Sequence, residues 1–189
     1  DKLGTYLVRL SHNKLSENES HQVARMLHSI GDFERISDHA LNICKLAEEM
    51  HTKGISFSPE GNHEIGVIGD AVKEITSLAI DSFINDDTKS ATHVEPLEQV
   101  VDNLQDQLKA LHISRLQNNE CTIELGFIFT DILNNFERVS DHCSNIAVYT
   151  MQLPSDKLDA HKYLNSIKYS TNEDFMQDYD MYKSKYALD

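Results

Sequence analysis

Apolar side chains recur every three or four positions along most of this chain, the spacing of one face of an α-helix. No stretch of any length alternates as a half-buried strand does. Leu3, Leu7 and Leu10 carry the first pattern, over residues 1–15. Ser16 and Glu19 have capping-box spacing and open a long pattern that reaches Lys53, where Gly54 is a natural stop. At about 35 residues such a helix is ~50 Å long. Ser58 and Pro59 predict the next start, with an end near Asn85 and a turn at Asp86 and Asp87. Thr92 and Glu95 read as a second capping box. The seam Leu97, Val101, Leu104, Leu108 and Leu111 then runs to a break at Asn118 and Asn119. A second long helix is expected from about Thr122 to Gln152, before Pro154. The polar tail beyond it, with Tyr163, Tyr169, Phe175, Tyr179, Tyr182 and Tyr186, predicts one or two short helices packed on a bundle.

The chain also repeats itself. Residues 33–43 read FERISDHALNI and residues 136–146 read FERVSDHCSNI, identical at eight of eleven positions. Duplicated structural units leave this signature. The preceding seams match as well, Asp1, Leu3, Leu7 and Leu10 paralleling Asp102, Leu104, Leu108 and Leu111. The expected fold is therefore all-α: two repeated antiparallel three-helix bundles, the first helix of repeat 1 truncated. The units are expected at residues 1–58 and 59–153, with a helical tail at 154–189. Asp1 falls inside a helical pattern, so the chain reads as a piece of a longer protein.

Packing explains why Phe33 and Phe136, Ile36 and Val139, and Ile43 and Ile146 match. It does not explain the Glu, Arg, Ser, Asp, His and Asn kept in both copies. Charge adds a constraint: 31 acidic residues against 17 basic ones give a net −14. Such a surface repels a nucleic-acid backbone and anionic lipid, and holds phosphate poorly unless cations intervene. No apolar run approaches the ~18 residues that span a bilayer. Three cysteines without CxxC spacing fit a reducing compartment, and Cys44 and Cys143 sit at positions expected in the core.

Within the repeat, Glu34 and Asp38 are four apart, as are Glu137 and Asp141, so each pair projects from one helix face. Asn42 and Asn145 extend the stripe by four more. Glu98 and Asp102 form a third pair, at the edge of their apolar seam, where a neighbouring helix approaches. Facing pairs bring four carboxylates together, and these cannot all ionise side by side without cations or protons. Hard, oxygen-preferring cations (Fe, Mn, Mg or Ca) meet that need; taken singly, each pair also reads as a solvated helix edge. His39 and His142 point about 100° away from the adjacent Asp, which suits hydrogen bonds within the bundle. Arg35 and Arg138 either pair with these carboxylates or form ordinary surface ion pairs.

These residues resemble the E(D)xxxD signature of PhoU proteins, regulators of phosphate uptake. The stretches LEQVVDNLQDQLKALHISRL and NNECTIELGFIFTDILNNFERVSDH are similar to the PhoU-like tail of bacterial sodium/phosphate cotransporters. The resemblance covers about residues 1–152. It implies two three-helix bundles and a multinuclear metal cluster on the carboxylates, iron first, with Mn, Mg, Ca or Zn as alternatives. Glu98, Asp102, Glu137 and Asp141 would hold one cluster. Glu34 and Asp38, with Asp1, would hold the other, although the acidic residue expected four positions before Asp1 is absent. Asn135 stands where Asp32 stands in the first copy, so the sites need not be equivalent.

The function implied is a metal-binding regulatory domain on the cytoplasmic side of the cell membrane. It would modulate phosphate uptake against the membrane-spanning part of the same chain, with phosphate held through the metals. Self-association is a further expectation, and nucleic acid is not a partner. The alternatives are a free-standing PhoU regulator of an importer or sensor kinase, a metal-dependent hydrolase, and a structural bundle with empty carboxylates. Against the hydrolase, no nucleophile–base pair or Gly-rich phosphate loop is evident. Residues 37 and 140 are Ser, where a ferritin-like oxidase needs His.

Overall fold

Local signals set most of the helix ends. In the computed structural model, which describes residues 2–151 and 173–188, α1 (Lys2–Ser11) leads to α2 (Glu17–Lys53). Ser16 caps α2: its Oγ accepts from the Glu19 backbone N–H while Glu19 accepts from the Ser16 backbone N–H, and Gly54 ends the helix in the left-handed conformation at φ 64°. Ser58 caps α3 (Pro59–Ile84), and Thr122 caps α6 (Ile123–Thr150).

Between them lie the one-turn α4 (Thr88–Ala91) and α5 (Val94–Gln117). Here the second expected capping box does not form. α5 is preceded by His93, which makes no side-chain cap. Thr92 ends α4 and donates to the Lys89 carbonyl, and Glu95 turns into the bundle. Asp87 instead caps α4 through the backbone N–H groups of Lys89 and Ser90. In the tail, α7 (Glu173–Lys185) lies against α5 and buries Phe175 and Tyr182. The expectation for residues 154–172, Tyr163 and Tyr169 included, lies outside the described residues. Among the described residues no strand occurs, so the all-α helical-bundle class holds.

α3, α5 and α6 pack around one core built from Ile68, Val72 and Ile75, Leu97, Val101 and Leu108, and Phe129, Leu133 and Ile146. α2 runs antiparallel along α6: Lys53 reaches Glu124 near one end, and His28 stacks on Tyr149 near the other. α1 packs on α2. α1 and α2 lie outside this core, and much of their surface is exposed. Cys143 is buried under Thr76 of α3, whereas Cys44 is exposed, against expectation, because no described helix covers that face of α2. Leu111, expected in the seam, is also largely exposed.

Candidate metal centre

α5 and α6 run antiparallel, and polar side chains pair across them in tiers. At one end the Ser144 hydroxyl donates to the buried Glu95 carboxylate. Three tiers further along, Gln105 Nε2 donates to Asn134 Oδ1 at 3.4 Å. Between these neutral donors sit Glu98, Asp102, Glu137 and Asp141. Ligand oxygens of Glu98, Asp102 and Asp141 all lie within 4.8 Å of one another. Glu98 is only 4% exposed, and Asp102 and Asp141 are half-buried.

Glu137 registers the crowding. Burial raises its carboxyl above the ordinary glutamate range, and the negative field of Asp141 adds to this. Arg138 opposes the rise, Asp102 reinforces it, and Lys109 opposes it weakly. Arg138 reaches Glu137 at 3.4 Å and Asp141 at 3.2 Å, but from an exposed position on the rim, where such pairs contribute little. The donor set is oxygen only, so it fits hard cations such as Fe, Mn, Mg or Ca better than thiophilic ones. Bound there, such an ion would reverse the local negative field and offer open positions to an oxyanion.

Glu34 and Asp38 are exposed on α2, and Asp1 lies outside the described residues. Arg35 is exposed as well.

The remaining matched polar residues perform a different task. His39 and His142, equivalent positions of the repeat, stack on each other with ring centres 5.7 Å apart. His142 Nδ1 lies 2.8 Å from Asp32 Oδ1, and His39 Nδ1 lies 2.9 Å from Asn135 Oδ1. Asn145 donates to Asp32 at 3.1 Å, and Asn42 donates to Asn135 at 3.4 Å. Each contact has its counterpart 103 positions on, so a pseudo-two-fold axis passes between the two imidazoles. Asn42 and Asn145 therefore do not extend the acidic stripe. Each step of four residues turns a helix about 40°. Two steps from Glu137 carry Asn145 away from α5 and onto α2.

Sequence reasoning missed Glu95 as part of the same polar ladder. Its signal was present: Glu95, Glu98 and Asp102 stand at i, i+3 and i+7, one helix face. The capping-box reading assigned Glu95 elsewhere.

The PhoU domain model matches residues 1–47 and 65–150. A PhoU homologue from Zymomonas mobilis, described as a phosphate-specific transport system accessory protein, is 29% identical over 117 residues, 62% of this chain and 48% of that protein. Homologue 1 from Thermotoga maritima is 22% identical over 126 residues, 67% of this chain and 53% of that protein. A putative inorganic phosphate export protein of Salmonella typhimurium, YjbB, is 23% identical over 163 residues, 84% of this chain and 30% of that protein. The chain spans about half the length of most curated relatives it matches. No solved structure matches it.

Proposed function

Because the chain belongs to the PhoU family, we propose that it is a cation-binding regulator of phosphate transport, acting on a membrane transporter or its partners from the cytoplasmic side. The observation that carries the reading is the meeting of Glu98, Asp102 and Asp141 oxygens within 4.8 Å between α5 and α6. Glu137 completes the acidic group and Arg138 rims it. Iron, or Mn, Mg or Ca in its place, is held by these carboxylates and presents phosphate with a positive field. Zn, the remaining expected alternative, suits an oxygen-only donor set less well. No residue is assigned a catalytic role.

Most of the matched relatives are phosphate-specific transport accessory proteins, which favours a free-standing regulator over a cotransporter domain. The match to YjbB is the one observation that favours the second reading. There, residues similar to these make up less than a third of a putative phosphate exporter. The sodium/phosphate cotransporter setting, with a membrane-spanning part in the same chain, rests on that likeness alone.

The test is elemental analysis of protein purified without chelator, alongside phosphate uptake by cells carrying the same variants. Asp141→Asn and Glu98→Gln are expected to lose the metal and to deregulate uptake. Full metal occupancy in both variants overturns the ligand assignment. Metal loss with unchanged uptake overturns the regulatory reading.

A further inference from the structure

The long contact between α2 and α6 leaves a groove at the end where α6 begins. Ile123 and Phe127 stand one turn apart on its rim, 73% and 70% exposed, among the most exposed large apolar side chains described. Exposed apolar side chains clustered in a groove and rimmed by charge mark an interaction surface. The internal repeat shows that the fold does not require them. At the matched positions of the first unit, Ser20 stands for Ile123 and Ala24 for Phe127. The acidic rim differs in the same way. Glu124 corresponds to His21 and Asp131 to His28, and His28 is occupied by stacking on Tyr149. At these positions α6 is thus both more apolar and more acidic than the matched stretch of α2.

Its own cations do not neutralise it. Lys53 is committed to Glu49 and Glu124, at 2.6 Å from each. Lys45 is the other basic group on the lining, and Asp131 lies exposed opposite it. The chain as a whole carries −14. With Glu49, Glu124 and Asp131 against Lys45 and Lys53 on the lining, the complementary partner is cationic with an apolar stripe. The cytoplasmic flanks of membrane spans have that chemistry, being rich in Lys and Arg. An amphipathic helix laid in a groove is a recurrent way to read such a segment.

We propose that the groove around Phe127 docks a basic amphipathic helix from the cytoplasmic face of a membrane partner. The proposal names the contact surface for the regulatory reading above and rests on it. Phe127 and Ile123 enter the apolar stripe of the helix, while Asp131 and Glu124 face its Lys and Arg side chains.

The probe is a fluorescent Leu/Lys amphipathic peptide of about five helical turns, titrated with the full chain, with a Leu/Glu peptide of equal length as control. The Leu/Lys peptide is expected to bind in a salt-sensitive manner and the Leu/Glu peptide not to bind. Phe127→Asp is expected to weaken binding by roughly tenfold or more. Ile84→Asp adds the same charge at an equally exposed site near the far end of the bundle, and is expected to leave binding intact. Phe127→Ala serves the same purpose if the Asp variant disturbs the fold. Equal behaviour of Phe127→Asp and Ile84→Asp, or equal binding of the two peptides, overturns the proposal. So does a wild-type dimer that Phe127→Asp dissociates, because the occupant is then a second copy. Metal content is measured on the same samples. A wild-type chain that holds metal but does not bind the Leu/Lys peptide counts against the groove alone, and metal retained in Asp141→Asn while the wild-type chain binds the peptide counts against the metal centre alone.

Discussion

The same eleven-residue motif occupies two environments in this molecule. On α6 its carboxylates face α5, and they meet Glu98 and Asp102 in a partly buried gap. On α2 its carboxylates point to solvent. The flanking positions differ in parallel. Leu104 is 4% exposed, whereas its counterpart Leu3 is 60% exposed. Ser140, Cys143 and Ala147 are buried beneath neighbouring helices, while Ser37, Ala40 and Cys44 are open. A motif supplies ligands, and the opposing helix turns them into a site by bringing a second set of charges close and excluding water.

The clamp between α3 and α5 separates the regions most sharply. Arg115 donates two bonds of 2.6 Å to the buried Glu64, and the position that matches Arg115 on the first unit is Lys14, which is exposed. Glu64→Ala is expected to cost about 3 kcal/mol, since it leaves the buried end of the clamp empty and strands the half-buried Arg115 guanidinium. Lys14→Ala is expected to change stability by less than about 0.5 kcal/mol. Urea unfolding measures both, and comparable losses would break the contrast.

Core truncation comes next. Leu104→Ala is expected to cost about 2–4 kcal/mol, and Leu3→Ala little. A Leu3→Ala loss as large as that of Leu104→Ala would mean that α1 is packed as tightly as α5.

The acidic gap makes a pH-dependent prediction. Raised proton affinity at Glu137 means that the metal-free fold favours its protonated form. That contribution is complete below the ordinary value of 4.5 and is lost as pH rises through the raised value. Cations compete with the same proton, so uptake of metal weakens on acidification through this window. Glu137→Gln is expected to flatten the dependence, and Glu34→Gln to leave it unchanged. An identical response of the two variants in isothermal titration would deny any difference between the two carboxylate pairs.

The smallest expected effect lies on the pseudo-two-fold axis, where His142 meets the Asp32 carboxylate and His39 meets the Asn135 amide. Asp32→Asn makes the two halves alike, and is expected to cost about 1 kcal/mol by weakening the two contacts that His142 and Asn145 make with the carboxylate. A loss of several kcal/mol would show that the two sides of the axis are far less equivalent than their geometry.

The helices themselves were legible in the sequence because their causes are local. Spacing of three and four places the apolar stripes, and Ser16, Gly54, Ser58 and Thr122 satisfy orphan backbone groups within a few residues. The duplication and the three carboxylate pairs were equally plain. Tertiary structure decided which pairs meet, that His39, His142, Asn42 and Asn145 bind the two units to each other, and that Glu95 joins the polar ladder instead of capping its helix. Such outcomes depend on the approach and rotation of helices that are distant along the chain. A turn of 100° per residue places a side chain on its own helix, but what it faces is set by the neighbour that packs there.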